Sequence, residues 1–442
     1  MKKILKTQIL YLNWEKGSYG EGILDFVMKH KLFQKTKTQI EIVRRWEQSE
    51  KFFAPGVLIR VKNGKGDLYT AFSDISRKET FYNLMFQNKT LFQLQGEEYF
   101  CPTCEKIVRI GYNLEQTEVF SMKRINQSGF TFDEVLEELQ PLLGLLLDGY
   151  YCIWDTQLYP TDGNGNLFWD FPNDEKVKDG SCPYYRGDGE YGGCYPHFTI
   201  ATQSARKMNP ERVEYYRKHS DCRAIAYYID GNLTALLDGH HKAMAAALDH
   251  RKCNAVVISP CYLGHEFIET QRKMFLYVND TRFDLDEIAE RESGEIEKTA
   301  QHPKKSAYGV LAGAEEKLSF PMDTKALAQF YPTVADCVAI DCFEPITDSL
   351  IDDFLTKKKR YEVDDMCTFL EALGGLKHKR RFEVLDFTLH TDWYTQKEIL
   401  LGAIDQLAKL PRTEALEDYL VKYMKEIEDE FPSVGEAILD IL

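Results

Sequence analysis

Five consecutive residues, Asp238-Gly239-His240-His241-Lys242, put a carboxylate, two imidazoles and an ammonium side by side. They follow the apolar run Thr234-Ala-Leu-Leu and precede an Ala-rich stretch that continues to Arg251. That pattern predicts a strand ending at Asp238, a turn at Gly239 and a helix from about His240. A helix start carries partial positive charge, so cations crowded into its first turn call for an anion among them. An anion suits the place: free backbone N–H groups and the side chains of His240, His241 and Lys242 would hold it. Asp238 would cap the helix or face the site as a base or a metal-coordinating group, with His241 beside it as a second catalytic candidate. The alternative is a surface helix start with solvated histidines. Upstream, Arg206 and Lys207 suit a polyphosphate tail, against the plainer reading of solvated surface charge.

A second candidate is Cys101-Pro-Thr-Cys104, whose two thiolates have the spacing to share one zinc ion. A structural site needs four ligands, and Cys182, Cys194 or His197 would supply the rest. Two ordinary free thiols and a redox pair are the competing readings. Asp162-Gly-Asn-Gly-Asn166 has the look of a calcium loop but carries Leu167 where that loop needs Gly, so a hairpin turn is expected. The aromatic clusters Tyr150-Tyr151, Trp154, Phe168-Trp169 and Tyr184-Tyr185 read as loop-pinning core. Lys357 to Arg360 and Lys377 to Arg381 are two basic clusters, either solvated helix surface or a face for an acidic protein partner.

The elements that must position these residues divide the chain into a mixed α+β region (1–147), a loop-rich aromatic segment (148–196), a central α/β region (197–300), a linker (301–344) and a helical region (345–442). In the first, Gly56 to Lys62 and Leu68 to Phe72 flank Asn63-Gly-Lys-Gly-Asp67 as a hairpin, and Phe132 to Leu147 reads as a helix. The central region follows a β-α-β-β-α-β order: a strand from His197, a helix capped by Asn209 with Pro210 in its first turn, strands at Arg223 to Ile229 and Thr234 to Leu237, the motif helix, and a strand at Ala255 to Ile258. The last region is helical, as a bundle or as stacked hairpins of the HEAT kind.

With its motif between a strand and a helix, the segment from His197 to Ile258 resembles the ParB/sulfiredoxin-like superfamily, whose members carry Asp-Gly-His-His-Arg or Gly-Gly-Cys-His-Arg at this point. The resemblance implies nucleotide-phosphate binding by Gly239, His240, His241 and Lys242, with ATP or ADP, or else CTP, as the nucleotide and Mg²⁺ accompanying it. It implies a phosphotransferase that moves phosphate to a small hydroxyl substrate. The sulfiredoxin cysteine position holds His240, which argues against sulfinic acid repair. The usual arginine is Lys242, which meets phosphate as a point charge. Kinase-like members carry an acidic base near the first strand. Here that stretch holds Gln203, Ser204, Arg206 and Lys207 instead, leaving Asp238 or Glu190 as the base.

Composition bounds the rest. With 442 residues, 44% hydrophobic and 28% charged, the chain is long enough for several packed regions and too apolar for wholesale disorder. A net charge of −15 opposes nucleic-acid binding through bulk charge, so a partition-type DNA-binding or nuclease role is the least favoured class. No apolar run approaches the roughly 20 residues of a membrane span, and the N-terminus makes a poor secretory signal. Eleven cysteines without such a signal fit reduced thiols in the cytoplasm. Apart from a kinase-like enzyme, the other expectation is a non-catalytic module in which nucleotide occupancy switches protein binding by the helical region.

Overall fold

The computed structural model describes residues 37–49, 51–76, 79–86, 89–93, 127–169, 195–202, 208–268, 271–278, 281–284, 304–305, 323–427 and 430–442. Its strands are β1 Gln39–Trp46, β2 Gly56–Lys62, β3 Leu68–Ser76, β4 Glu79–Phe86, β5 Lys89–Gln93, β6 Gly149–Leu158, β7 Phe198–Ile200, β8 Ala224–Asp230, β9 Leu233–Asp238, β10 Cys253–Pro260, β11 Tyr262–Ile268, β12 Gln271–Val278, β13 Thr281–Asp284 and β14 Lys304–Lys305. The helices are α1 Phe132–Leu143, α2 Pro210–Lys218, α3 His240–Leu248, α4 Thr324–Gln329, α5 Val334–Cys342, α6 Asp348–Leu355, α7 Val363–Gly375, α8 Arg381–His390, α9 Lys397–Ala408, α10 Glu414–Ile427 and α11 Pro432–Ile441. A mixed α/β part thus precedes a helical C-terminal part.

A seven-stranded mixed sheet in the order β1-β2-β6-β10-β8-β9-β7 organises the first part. It runs across the boundaries expected at 147 and 196, because β1 and β2 join the strands of the central region through β6. The segment that holds β6 reads as an aromatic loop for a physical reason: both faces of this strand are buried. Tyr151 and Ile153 enter one core, while Tyr150, Cys152 and Trp154 enter the other. Such a strand loses the polar alternation that marks a half-exposed one. On the first face α1 covers the sheet with Val135, Leu136, Leu139, Leu142 and Leu143. A capping box between Thr131 and Glu134 starts this helix, and Gly144 ends it.

The expected β2–β3 hairpin does not form. The backbone N–H groups of Lys65, Gly66 and Asp67 donate to the carbonyls of Gly144, Leu146 and Leu145 at 3.0, 3.1 and 2.8 Å. The chain is thereby diverted, and β3 pairs with β4 and β14 in a separate four-stranded sheet.

The β-α-β-β-α-β order from 198 to 260 is present, with β7 parallel to β9, β9 antiparallel to β8 and β8 parallel to β10. Asn209 caps α2, its side chain accepting the N–H of Arg212 at 3.1 Å, with Pro210 in the first turn. Part of the expected linker is outside the described residues, but 324–329 and 334–342 form α4 and α5. Val334 and Cys337 of α5 enter the sheet core, and the Val334 N–H donates to Gly163 at 2.9 Å. In the C-terminal part α5 packs on α7, α7 on α9 and α9 on α11, around a core that includes Phe354, Phe369 and Leu373. Among the described residues no helix is long and apolar enough to cross a membrane.

Candidate functional site

The five-residue motif lies where β9 turns into α3. Gly239 occupies that turn with φ +99°, a left-handed conformation that side chains rarely adopt. A Cβ there would lie 2.6 Å from the Ala224 Cβ and 2.8 Å from its Cα, so glycine is required both by conformation and by the approach of the turn to β8. The alanines that follow, Ala243 and Ala245 to Ala247, are fully buried and let α3 lie close against the sheet.

All three residues of the first turn are buried: His240 is 2% exposed, His241 6% and Lys242 2%. This overturns the alternative of solvated histidines. Their polar ends are engaged inside the protein. His240 Nε2 accepts the backbone N–H of Thr202 at 3.1 Å, and His241 Nε2 accepts that of Asn209 at 3.0 Å. A neutral imidazole that accepts at Nε2 carries its proton on Nδ1. Burial holds the His240 pKa down at about 3, with His241 adding to the effect and Asp238 opposing it. That ring is neutral at physiological pH, so it brings no positive charge to an anion. Trp169 stacks on His240 with centroids 6.0 Å apart and meets His241 edge-on at 6.2 Å.

The Lys242 side chain folds back past Gly239 toward Asp238 and the Arg223 carbonyl. Its Nζ donates to the Arg223 carbonyl at 2.7 Å, stands 3.7 Å from Asp238 Oδ2 and lies 5.5 Å over the Tyr216 ring. Burial, and next the charge of Asp238, push the Tyr216 hydroxyl up to about 12. Asp238 is only 5% exposed and shares its charge with this ammonium. The motif therefore supplies one carboxylate whose counter-cation is already in place. No group of three or more His, Cys, Asp or Glu positioned to hold a metal occurs among the described residues. With its single carboxylate already beside Lys242, the motif does not fit a resident Mg²⁺.

Arg206, Lys207, Gln203, Ser204 and Glu190 lie outside the described residues, as do Cys101, Cys104, Cys182 and Cys194. Sequence reasoning missed Thr202, Asn209, Trp169, Tyr216 and Arg223 as neighbours of the motif. The signal available for two of them was position: Thr202 lies two residues past the strand that pairs with β9, and Asn209 caps the next helix.

Other candidates resolve into structure. Asp162 Oδ1 accepts the N–H groups of Asn164 and Asn166 at 2.8 and 3.0 Å, and Thr161 bridges Leu167, giving the tight turn expected there. The basic clusters are answered within the chain: Lys357 meets Asp392, Lys359 meets Glu344, Lys379 meets Asp348, and Arg380 meets Asp352 and Glu383. A cleft of about 310 Å³ lies at the end of β6. Its Asp155 and Arg223 form a two-pronged ion pair at 2.7 and 2.9 Å, and its Gln157 and Asn254 bond each other at 2.8 Å. Comparison of the chain with family models, curated proteins and solved structures finds no match.

Proposed function

We propose that this chain is a nucleotide-binding protein that takes phosphate at the N-terminus of α3, within a ParB/sulfiredoxin-like central region. The observation that carries the reading is the turn itself. A strand ending in Asp238 passes through a left-handed glycine straight into a helix whose start lies against the sheet, and a helix start of this kind favours an anion. The side-chain contributions differ from those the residue types suggest. Lys242 and Asp238 act as a buried pair that fixes the turn, and the cationic contacts fall to Arg206 and Lys207. Phosphotransfer from ATP or ADP to a small hydroxyl substrate is the enzymatic form of this proposal. In it Asp238, paired with Lys242, steadies the site, and the proton acceptor lies elsewhere.

The non-catalytic module is kept as a second reading because of one contact. The Tyr331 hydroxyl lies 3.1, 3.4 and 3.1 Å from the carbonyls of Ala246, Ala247 and Arg251, at the far end of α3. A nucleotide at one end of this helix would bear on the helical part through the other.

The test is a thermal-shift panel of ATP, ADP, CTP and GTP with Mg²⁺, on the wild type and on an Arg206→Ala/Lys207→Ala variant. A nucleotide at 100 times its dissociation constant stabilises the fold by about 2.7 kcal/mol. One nucleotide should raise the melting temperature of the wild type and do so less in the variant. No shift with any nucleotide refutes the proposal. Release of product from the bound nucleotide with time then separates the enzyme from the module.

A further inference from the structure

We infer that Cys152 and Cys261 are an oxidation site: a dithiol that hydrogen peroxide closes into a disulfide between β6 and the junction of β10 with β11. Nothing in this site depends on nucleotide binding. Cys152 lies within β6, and Cys261 stands between Pro260, the last residue of β10, and Tyr262, the first of β11. In the antiparallel pairing of β6 with β10, Cys152 is opposite Ser259 and Tyr151 is opposite Pro260. The Cys261 N–H then donates to the Tyr150 carbonyl at 2.9 Å, carrying the pairing one residue further. Both cysteines enter the same buried core, and their sulfurs meet there at 3.5 Å. A disulfide needs the sulfurs about 2.05 Å apart, so closure asks for about 1.5 Å of approach. Free cysteine packs as a small apolar side chain, and a thiol contact alone would be ordinary core. Ser259 adds a second observation. It is fully buried, directly opposite Cys152, and its hydroxyl has no hydrogen-bond partner among the described residues. Buried hydroxyls are normally paired, and this one stands ready to donate to an oxygen added at the neighbouring sulfur.

The two cysteines take different parts. Burial, and next the hydrogen bond with Cys261, hold the Cys152 thiol well above its ordinary pKa, so Cys152 starts as a thiol. Attack begins at Cys261, which ends the strand beside half-buried Tyr262. The Cys261 thiolate takes one oxygen of hydrogen peroxide: an S–O bond forms, the O–O bond breaks, and the hydroxide released takes up the Cys261 proton. The Cys152 sulfur then attacks the resulting sulfenic sulfur. The S–S bond forms as the S–O bond breaks, and the Cys152 proton leaves with that oxygen as water. In sum, two thiols are oxidised to one disulfide and one peroxide is reduced to two waters. The bond closes a loop that contains β7, α2, β8, β9 and the motif helix α3, and it limits how far they can separate in the unfolded chain.

The experiment uses the full reduced chain, freed of reductant and treated with hydrogen peroxide near neutral pH. An acid quench, alkylation in denaturant and peptide mapping by mass spectrometry then report the state of each cysteine. Expected are a cross-linked peptide joining Cys152 to Cys261, two fewer free thiols among the eleven, and full recovery of both with dithiothreitol. The melting temperature of the oxidised chain should rise by about 5 °C or more. Cys152→Ala, first shown to be folded by its melting transition, should leave a sulfenic acid at Cys261 that dimedone traps. Recovery of Cys152 and Cys261 as free thiols, under peroxide that oxidises exposed Cys342, overturns the proposal. So does pairing of either residue with a third cysteine, or sulfinic acid at either sulfur of the wild type without the cross-link. A fall in melting temperature on oxidation also overturns it, because the bond would then close only at the expense of this fold.

Discussion

A His240→Gln substitution should remove a pH dependence of stability that the wild-type chain owes to one buried ring. In the fold, burial and the neighbouring His241 hold the pKa of His240 at about 3, against an ordinary value of 6.5 that the unfolded chain regains. Between those values the unfolded state binds a proton that the folded state refuses, so stability rises with pH across that window. The contribution is present in full above 6.5 and is lost progressively as the pH falls toward 3. For one such group the slope approaches about 1.4 kcal/mol per pH unit, and integration from about pH 7 to about pH 5 gives about 2 kcal/mol. Glutamine keeps an acceptor for the Thr202 N–H and does not titrate. Urea unfolding of both proteins at both pH values measures the effect, and the difference between the two losses cancels the titration of carboxylates common to both. The wild type should lose about 2 kcal/mol more than the variant. Equal losses would mean that the ring takes up its proton while folded, and its role as acceptor for Thr202 would fall with them.

Two further substitutions test the turn. Gly239→Ala places a Cβ 2.6 Å from that of Ala224 at a φ of +99°, and should cost about 2–4 kcal/mol in chemical unfolding. A loss below about 1 kcal/mol would show that the turn relaxes freely. Lys242→Met removes the cation beside buried Asp238 and should cost about 3–5 kcal/mol, whereas Asp238→Asn/Lys242→Met should recover a large part of it. Strict additivity of the two single losses would show that the 3.7 Å pair is not coupled.

The parts of this fold that sequence makes legible are those whose determinants are local. The capped start of α2 is written in Asn209-Pro210, and the β9–Gly239–α3 turn in five adjacent residues. Strand β6 escaped because its partners on both faces come from distant segments, and burial on both sides removes its alternation. The β2–β3 hairpin failed for a related reason: Lys65 to Asp67 satisfy their N–H groups on 144–146, carbonyls far along the chain. The histidines show the same limit in chemical form. Residue type and helix position suggest cations for an anion. What decides their state is burial, together with N–H groups from residues 38 and 32 positions away, and neither is visible in the motif.

Helix α3 is held at both ends by parts of the chain that come from outside its own strand–helix–strand unit, and this gives the module reading a quantitative test. Its start is tied to Thr202 and Asn209 through the two histidines, and its last carbonyls face the Tyr331 hydroxyl. If phosphate binding at the start displaces the helix along its axis, the displacement must be felt at Tyr331, because nine helical residues act as one rigid rod about 13 Å long. Linkage then requires the converse by the same factor: loosening Tyr331 must change nucleotide affinity. Tyr331→Phe keeps the ring and removes the hydroxyl, at a cost of about 1–2 kcal/mol in stability. Under the module reading it should also shift the nucleotide dissociation constant by about fivefold or more, the lower end of ordinary allosteric coupling. Under the enzyme reading the stability loss stands alone and affinity is unchanged. An unchanged dissociation constant in a folded Tyr331→Phe protein would therefore remove the helical region from the response to nucleotide and leave it a scaffold that braces α3.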